Sequence, residues 1–286
     1  MKLRVLDLFS GIGGFSLGLE RTNGFETVAF CEIDPFCRKV LAKHWPDVRQ
    51  YEDVRELTAD KLEADGIAVD VITGGFPCQD ISTAGRQAGI AEGTRSGLWS
   101  EIARLARELR PRFIFVENVA NLLSGPPDRR GGWFGRVLGD LAEIGYDAEW
   151  HCIPAAAVGA PHRRDRIWIV AYARGEQHQG AGAAYGRAIT AGLSQALADA
   201  KGNGLEEQRV STQGCQVVAE SAGRSRGGQN ASRSCDWWAT EPDVGRVAHG
   251  VPARVDRLRG LGNAVVPQIP EMIGNAILES MKHEAA

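Results

Sequence analysis

Apolar runs of strand length alternate, over residues 1–173, with segments whose apolar positions recur at helical spacing. Glycine or acidic residues end several of these runs, which is typical of buried strands that stop at turns. The predicted strands are residues 3–9, 26–31, 69–73, 111–118, 147–153 and 166–172. The predicted helices are residues 15–23, 36–45, 96–109 and 134–144. Strands that alternate with helices predict an α/β fold with a doubly wound, mostly parallel sheet.

Polar and glycine-rich segments stand at the ends of four predicted strands. These segments read GIGG, EID, GGFPCQ and EN, and each lies where an apolar run stops. In doubly wound sheets, ligands bind beyond the carboxyl ends of the strands. The pattern therefore predicts one functional site along this edge of the sheet.

The composition of the chain changes near residue 174. From there to about residue 235 it is rich in Gly, Ala, Ser, Gln and Arg and has little periodicity, which indicates a loop-rich, partly disordered insert. Near the carboxyl terminus, the sequence predicts a turn followed by an apolar helix that packs back on the core. We therefore expect a core over residues 1–173, an insert over 174–245 and a returning segment over 246–286.

Charge and cysteine content narrow the class of protein. The formal net charge of −3 at pH 7 is ordinary for an enzyme, so any nucleic-acid-binding face must be a local cluster of arginines. None of the six cysteines forms a C-x-x-C pair, and no zinc site is indicated. The opening MKLRVLDLF is not typical of a signal peptide, and no apolar run approaches a membrane span. A cytoplasmic enzyme without membrane association is expected.

The first two strands are followed by candidate cofactor-binding residues. Gly11 and Gly13 would let the backbone approach a ligand where a helix begins. They lack the third glycine of a dinucleotide fingerprint and would also suit a plain strand–helix turn. Glu32 follows about 20 residues later, where a carboxylate can accept hydrogen bonds from a ribose. By itself, Glu32 fits an exposed strand end equally well.

Cys78 stands in GGFPCQDIS, and a thiolate there would be a strong nucleophile toward an activated target. Most lone cysteines are buried apolar residues, but Pro77 before it and the polar Gln79 and Asp80 after it argue against burial. Glu117 ends an apolar strand, where burial would raise its pKa. This glutamate is therefore a candidate proton donor near neutral pH.

A basic cluster, HRRDR, opens the last predicted strand of the core. On an extended chain, Arg164 and Arg166 would lie on one side and Arg163 on the other. Paired arginines suit contacts to phosphates or base carbonyls, and a solvated basic strand edge is the alternative. The last motif, GNAVVP, contains Asn263, which could cap a turn or close over a ligand.

Taken together, these blocks resemble the signature of cytosine-C5 DNA methyltransferases. The resemblance rests on DLFSGIGGF, CEID, Asp53, GGFPCQDIS, FVENV, RRDR and GNAVVP, in this order, over residues 3–172 and roughly 245–280. The FPCQ block followed by ENV is its most specific part. The resemblance implies a Rossmann-like methyltransferase core and a small target-recognition region, for which the insert at 174–245 is the expected position.

The resemblance also implies roles for individual residues. Cys78 is the expected nucleophile at C6 of cytosine, and Glu117 is the expected acid at N3. Arg164 and Arg166 are expected near the base, with His162 where the family has glutamine. The implied cofactor is S-adenosyl-L-methionine. Its expected contacts are Phe9, Gly11, Gly13, Glu32, Ile33, Asp53, Pro77 and Asn263.

The partner implied by the resemblance is double-stranded DNA, from which a cytosine in a specific sequence is flipped. A cognate restriction endonuclease acting separately is a further expected partner, and the enzyme is expected to be a monomer. One alternative is an RNA cytosine-C5 methyltransferase, although the insert has no block typical of that branch. A second is a silent DNA-binding regulator, against which the intact Cys78, Glu117 and Glu32 count. The third is a nicotinamide-dependent oxidoreductase, for which the glycine pattern is incomplete.

Overall fold

The computed structural model describes residues 2–77, 98–125, 131–160, 162–174 and 254–284. The strands within these ranges are β1 Leu3–Leu8, β2 Phe25–Cys31, β3 Arg49–Tyr51, β4 Val71–Gly74, β5 Phe113–Val119, β6 Tyr146–Pro154 and β7 Asp165–Ala173. The α-helices are α1 Gly14–Arg21, α2 Pro35–His44, α3 Ala59–Ala64, α4 Trp99–Leu109, α5 Gly132–Glu143, α6 Arg254–Asn263 and α7 Gln268–Glu284. Short 3₁₀ turns cover Val54–Glu56, Ala120–Leu123 and Ala155–Val158.

Seven strands of the described chain form one sheet in the order β3-β2-β1-β4-β5-β7-β6. All pairs from β3 to β5 are parallel, and β7 runs antiparallel to both β5 and β6. The predicted α/β fold with a mostly parallel sheet is confirmed. From β1 the strand order runs outward in both directions, so the crevice between β1 and β4 is the place where such sheets bind ligands.

Apolar side chains cover both faces of the sheet. On one face, a large cluster centred on Trp99, Ile102 and Leu105 joins α4 and α5 to the strands. On the other, Phe15 and Leu19 of α1 pack with isoleucines of α7. The apolar helix α7 thus packs against this face of the core. Burying each such large apolar side chain stabilises the fold by about 1.5–3 kcal/mol.

The helix that follows β2 is fixed by its amino-terminal residues. The carboxylate of Asp34 accepts hydrogen bonds from the backbone N–H groups of Phe36 and Cys37, and Pro35 occupies the first helical position. This is the usual way in which an aspartate and a proline begin a helix. The segment from Glu32 to α2 therefore has a defined backbone path beside the end of β1.

Several expectations need correction. Residues 49–51 and α3, which the sequence pattern marks as neither strand nor helix, form a short strand and a helix. Instead of a turn, Gly262 and Asn263 form the last residues of α6. The prediction of extended backbone at Arg164 is wrong. The φ angle of Arg164 is 38°, in the left-handed region, and β7 begins one residue later.

The expected insert lies almost entirely outside the described residues, since only Arg174 of 174–245 falls within them. The same holds for residues 246–253 of the expected returning segment. Among the described residues, no helix combines the length and apolar character needed to cross a bilayer.

Candidate active site

Three adjacent strands end in one row at the carboxyl edge of the sheet, and β5 continues past that row to Val119. Cys31 pairs with Leu8, Leu8 pairs with Gly74, and Gly74 pairs with Val116. The next residue along each strand belongs to the predicted site: Glu32, Phe9, Gly75 and Glu117. Glu32 and Glu117 are separated by three strand spacings, or about 14 Å. Glu32, Phe9, Gly75 and Glu117 therefore lie along one edge of the sheet.

Glu117 forms an ion pair with Arg166. The Oε1 atom of Glu117 lies 2.9 Å from Nε of Arg166, and the two side chains are 13% and 23% exposed. Burial raises the pKa of Glu117 above its ordinary value, and the charges of Arg166 and Arg164 oppose that rise. The site thus holds a carboxyl group that takes up a proton more readily than one in water.

The loop that leads to Cys78 passes directly beside Glu117. A Cβ atom placed on Gly75 would lie 3.2 Å from Oε2 of Glu117, so a glycine lets the loop approach this carboxylate closely. Side-chain Nδ2 of the buried Asn118 donates to the carbonyl oxygen of Phe76 at 3.0 Å. Pro77 is half-buried, and Cys78 itself lies outside the described residues.

The turn between β1 and α1 is held by Glu32. Its Oε2 accepts from the backbone N–H of Gly11 at 2.7 Å, and its Oε1 accepts from that of Asp34 at 2.8 Å. Burial raises the pKa of Glu32, while these two hydrogen bonds lower it. Each carboxylate oxygen retains acceptor capacity for one further donor, as a ribose hydroxyl would require. The backbone at Phe9 and Gly11 is left-handed, with φ of 52° and 54°.

The surroundings of this turn fit the cofactor that the resemblance implies. A Cβ atom on Gly11 would meet nothing within 4 Å, so there is open space in front of the turn. Ile33, next to Glu32, is 65% exposed, which is unusual for a large apolar side chain and suits contact with a flat ring. Gly13 caps α1 in a left-handed conformation. These features leave open space beside the turn and Glu32 for an adenosine-bearing ligand.

Asp53 follows β3 at the same edge but is engaged locally. Its carboxylate accepts from the backbone N–H of Arg55 and forms an ion pair with that guanidinium at 2.5 Å. The hydrogen bond from Arg55 holds the pKa of Asp53 below its ordinary value. Asp53 could therefore contact a cofactor only if it shares its carboxylate with Arg55 or if this ion pair breaks.

Arg164 hydrogen-bonds to the C-terminal segment, whereas Arg166 pairs with Glu117. The Arg164 guanidinium donates to the carbonyl oxygens of Gly262 at 2.7 Å and Ala264 at 2.8 Å, so it spans both sides of Asn263. Arg163 pairs instead with Asp165 at 3.0 Å and is half-exposed. The extended backbone on which the predicted placement of Arg164 and Arg166 on one side rested is absent at Arg164, where φ is 38°, although the charges of both arginines act on Glu117.

The C-terminal segment lies against the glycine turn. A Cβ atom on Gly260 would lie 3.5 Å from the side chains of Ile12 and Phe36, which places α6 beside the β1–α1 turn and the start of α2. Asn263, at the end of α6, is exposed. The structure thus brings the GNAVVP block to the cofactor side of the candidate site.

Asp7 is a buried group to which the sequence assigned no role. It is fully buried in β1 and accepts from the hydroxyls of Ser16 at 2.8 Å and Thr73 at 2.7 Å. Burial raises the pKa of Asp7 to about 7, against the opposing effect of these hydrogen bonds. The sequence feature that could have revealed this group is an aspartate inside the apolar run before the glycine turn. Asp7 ties α1 and β4 to the central strand.

Comparisons with known proteins agree with this geometry. The sequence profile of the family described as C-5 cytosine-specific DNA methylase matches residues 3–223. The chain is 37% identical over 173 residues to the type II methyltransferase M2.BsuMI of Bacillus subtilis, a match covering 59% of this chain and 42% of that protein. It is 34% identical over 182 residues to the type II methyltransferase M.Sau3AI of Staphylococcus aureus, covering 60% and 43%.

A solved structure shares the fold. A DNA modification methyltransferase encoded within an Escherichia coli prophage superposes with a TM-score of 0.50 at 30% identity, over 60% of this chain and 47% of that one. The matched part of this chain spans less than half the length of each of these relatives. The family profile, in contrast, covers more than half of the chain. The chain therefore belongs to the family of C-5 cytosine-specific DNA methylases.

Proposed function

We propose that this chain is a DNA (cytosine-5-)-methyltransferase that transfers the methyl group of S-adenosylmethionine to C5 of a cytosine in a specific DNA sequence. The observation that carries the proposal is the buried Glu117–Arg166 pair, which lies directly beside the loop that leads to Cys78. A proton-donating carboxyl group next to a thiol-bearing loop is what addition to a pyrimidine ring requires.

The chemistry starts from a carbon that is a poor nucleophile. In this proposal the Cys78 thiolate forms a bond to C6 of cytosine, and N3 gains a proton or a strong hydrogen bond from Glu117. Electron density then reaches C5, which would bond to the methyl carbon as the bond from that carbon to the cofactor sulfur breaks and the sulfur leaves as a neutral thioether. Loss of the C5 proton to a base restores the ring double bond, expels the Cys78 thiolate and returns the proton from N3.

Glu117 is suited to the step at N3 by its surroundings. Burial raises its pKa, so it holds or shares a proton closer to neutral pH than a solvated glutamate. Arg166 fixes Oε1, while Oε2 is the oxygen nearest Gly75 and the loop to Cys78. We assign Oε2 as the atom that meets N3. The remaining guanidinium donors of Arg166 suit the carbonyl oxygen of the base.

Asn118 holds the described part of the loop before Cys78. The hydrogen bond from its amide to the carbonyl of Phe76 holds the backbone two residues before Cys78, and Pro77 restricts the next torsion. Loop geometry matters because the nucleophile must reach C6 while the proton donor reaches N3, on the opposite side of the same ring. Asn118 is accordingly a positioning residue.

The cofactor half of the site uses different residues. Glu32 would hold the ribose hydroxyls and Ile33 would cover the adenine, with further contacts from Phe9, Gly11, Gly13, Pro77 and Asn263. Asp53 would contribute by releasing Arg55 or by sharing its carboxylate with it. When bound, the cofactor supplies an electrophilic methyl group on a positively charged sulfur.

The substrate in this proposal is double-stranded DNA. C6 of a stacked cytosine is hidden, so the base must leave the helix to meet Cys78 and Glu117. Residues 174–245 are assigned as the target-recognition region and residues 1–173 and 246–286 as the catalytic core. Because the relatives are named type II methyltransferases, a restriction endonuclease of the same target sequence is proposed as a separate partner.

Methylation in a host that lacks cytosine methylation tests this function. We expect sequencing sensitive to 5-methylcytosine to find the modified base at one recurrent sequence in genomic DNA. Cys78→Ala is the inactive control, and Arg136→Ala, an exposed residue of α5 away from the site, is the active control. Modification equal to that of Cys78→Ala would refute the proposal. Modified cytosine in transfer RNA but not in DNA would show the RNA-acting alternative instead.

A further inference from the structure

Arg164 joins two distant parts of the chain. Its guanidinium donates through Nη1 to the carbonyl of Gly262 and through Nη2 to the carbonyl of Ala264, 98 and 100 residues further along the sequence. Two carbonyls held by one planar fork are fixed in direction as well as in distance. The backbone that carries Asn263 is thereby attached to the residue just before β7.

The opposite side of the segment 262–267 packs against α1 with no space to spare. A Cβ atom on Gly14 would lie 2.5 Å from the carbonyl oxygen of Val265, and one on Gly18 would overlap that of Pro267. Only glycine is compatible with such approaches. The segment is therefore confined between the helix that begins at the cofactor turn and the guanidinium of Arg164.

The backbone of Arg164 supports a positioning role. Its φ of 38° is rare for a residue with a side chain, and such conformations persist only where the surroundings hold them. The two hydrogen bonds to residues 262 and 264 are contacts of that kind. Two residues further on, Arg166 pairs with Glu117. Arg164 thus stands between the proton donor and the C-terminal segment.

We propose that Arg164 is a positioning residue that sets cofactor affinity by holding the segment 262–267 against α1, rather than a ligand of the base or of a phosphate. The inference rests on the proposed function in one respect, namely that S-adenosylmethionine binds beside this segment. It differs from the role that the family resemblance implies for Arg164. It also gives different roles to Arg164 and Arg166, which the sequence pattern predicts to act as a pair.

The test compares Arg164→Lys, Arg164→Ala and the control Arg163→Ala, whose native partner is Asp165. Lysine keeps the charge but lacks the fork, so both Arg164 variants should bind S-adenosylmethionine on the order of 10-fold more weakly in the absence of DNA. Arg163→Ala should bind it as the native protein does. Calorimetry on the full chain measures all three.

Hydrogen exchange supplies a readout that does not involve the cofactor. The backbone N–H groups of Ala264 and Ile269 donate to Leu261 and Val266, respectively, and should exchange faster in both Arg164 variants than in Arg163→Ala. The slope of DNA affinity against salt concentration should stay native in Arg164→Ala, which removes the charge, since no phosphate contact is lost.

The outcomes separate the two proposals. Native protein that binds no S-adenosylmethionine would refute the proposed function. Native cofactor affinity and native exchange in Arg164→Lys would overturn the positioning role even if the enzyme is active. A reduced salt slope together with unchanged exchange would assign Arg164 to the DNA backbone and would likewise overturn it.

Discussion

The carboxylate of Glu117 and the guanidinium of Arg166 form a largely enclosed ion pair, with 2.9 Å between Oε1 and Nε. The pair spans β5 and the antiparallel β7, where Val119 rather than Glu117 is directly opposite Arg166. This diagonal contact leaves Oε2 of Glu117 facing Gly75 in the loop to Cys78. The carboxylate proposed as the proton donor is thus held by Arg166 of β7 and faces the loop that follows β4.

Replacing Glu117 with glutamine tests its assignment as the acid. Glutamine keeps the shape and can still meet Arg166 through its oxygen, but it has no acidic proton. We expect single-turnover methyl transfer to slow by roughly 10²–10⁴, the usual contribution of general acid catalysis, with native DNA affinity. A rate within a factor of about two of native would remove Glu117 from this role.

Glu32 should govern cofactor binding. Glu32→Ala removes the acceptor proposed for the ribose and also frees the N–H groups of Gly11 and Asp34. We expect S-adenosylmethionine affinity to fall by about 1–3 kcal/mol, measured by calorimetry. Glu52→Ala, at an exposed carboxylate on the same side of the sheet, serves as the control. Unchanged affinity in Glu32→Ala would exclude the ribose contact.

Replacing Asn118 should lower the rate of the reaction and leave the affinity for the cofactor unchanged. Asn118→Ala leaves the carbonyl of Phe76 without this donor and releases the loop before Cys78. We expect a lower kcat, native affinity for S-adenosylmethionine and a stability loss of about 1–3 kcal/mol. Kinetics, calorimetry and urea unfolding measure the three quantities. A weaker cofactor complex with native kcat would contradict the assignment of Asn118 to the nucleophile loop.

Asp7 should make stability depend on pH. Burial raises its pKa in the folded protein to about 7, well above its value in an unfolded chain. The folded state therefore holds the extra proton, and its stability falls as pH rises from about 4 through 7, by up to a few kcal/mol. Above about pH 7 the protein has lost all of the stability that this proton contributes.

Asp7→Asn removes this titration while keeping a side chain that Ser16 and Thr73 can contact. We expect the difference in free energy of unfolding between pH 5 and pH 8 to be smaller in Asp7→Asn than in the native protein. Urea denaturation at the two pH values measures it. An equal difference in both proteins would show that Asp7 does not titrate in this range.

The sequence predicted the parts of this molecule that depend on local pattern. Apolar runs located six of the strands, and the residues that end those runs located Glu32 and Glu117 at one edge. The strand β3 was not found because three residues are too few to show a period. The pattern around Gly262 and Asn263 predicts a break in the chain, because glycine commonly stops a helix. In the structure both residues are still helical and form the carboxyl end of α6.

Contacts between distant residues could not be predicted in this way. The alternation that put Arg164 beside Arg166 assumes extended backbone, and Arg164 departs from it because its partners are 98 and 100 residues away. Asp7 belongs to the same class, since its partner Thr73 is in another strand. The periodicity of a single segment carries no information about a contact between residues so far apart in the sequence.

Trapping of the reaction intermediate tests the central claim most directly. Once Cys78 has added to C6 and C5 has been methylated, release of the enzyme requires loss of the substituent at C5. Fluorine cannot leave as a proton does. We therefore predict that duplex DNA with 5-fluorocytosine at the target becomes attached to the protein in a complex that survives denaturation. The complex should form only with S-adenosylmethionine present and not in Cys78→Ala. A denaturation-resistant complex that persists in Cys78→Ala, or none with the native enzyme on DNA that it methylates, would contradict the account.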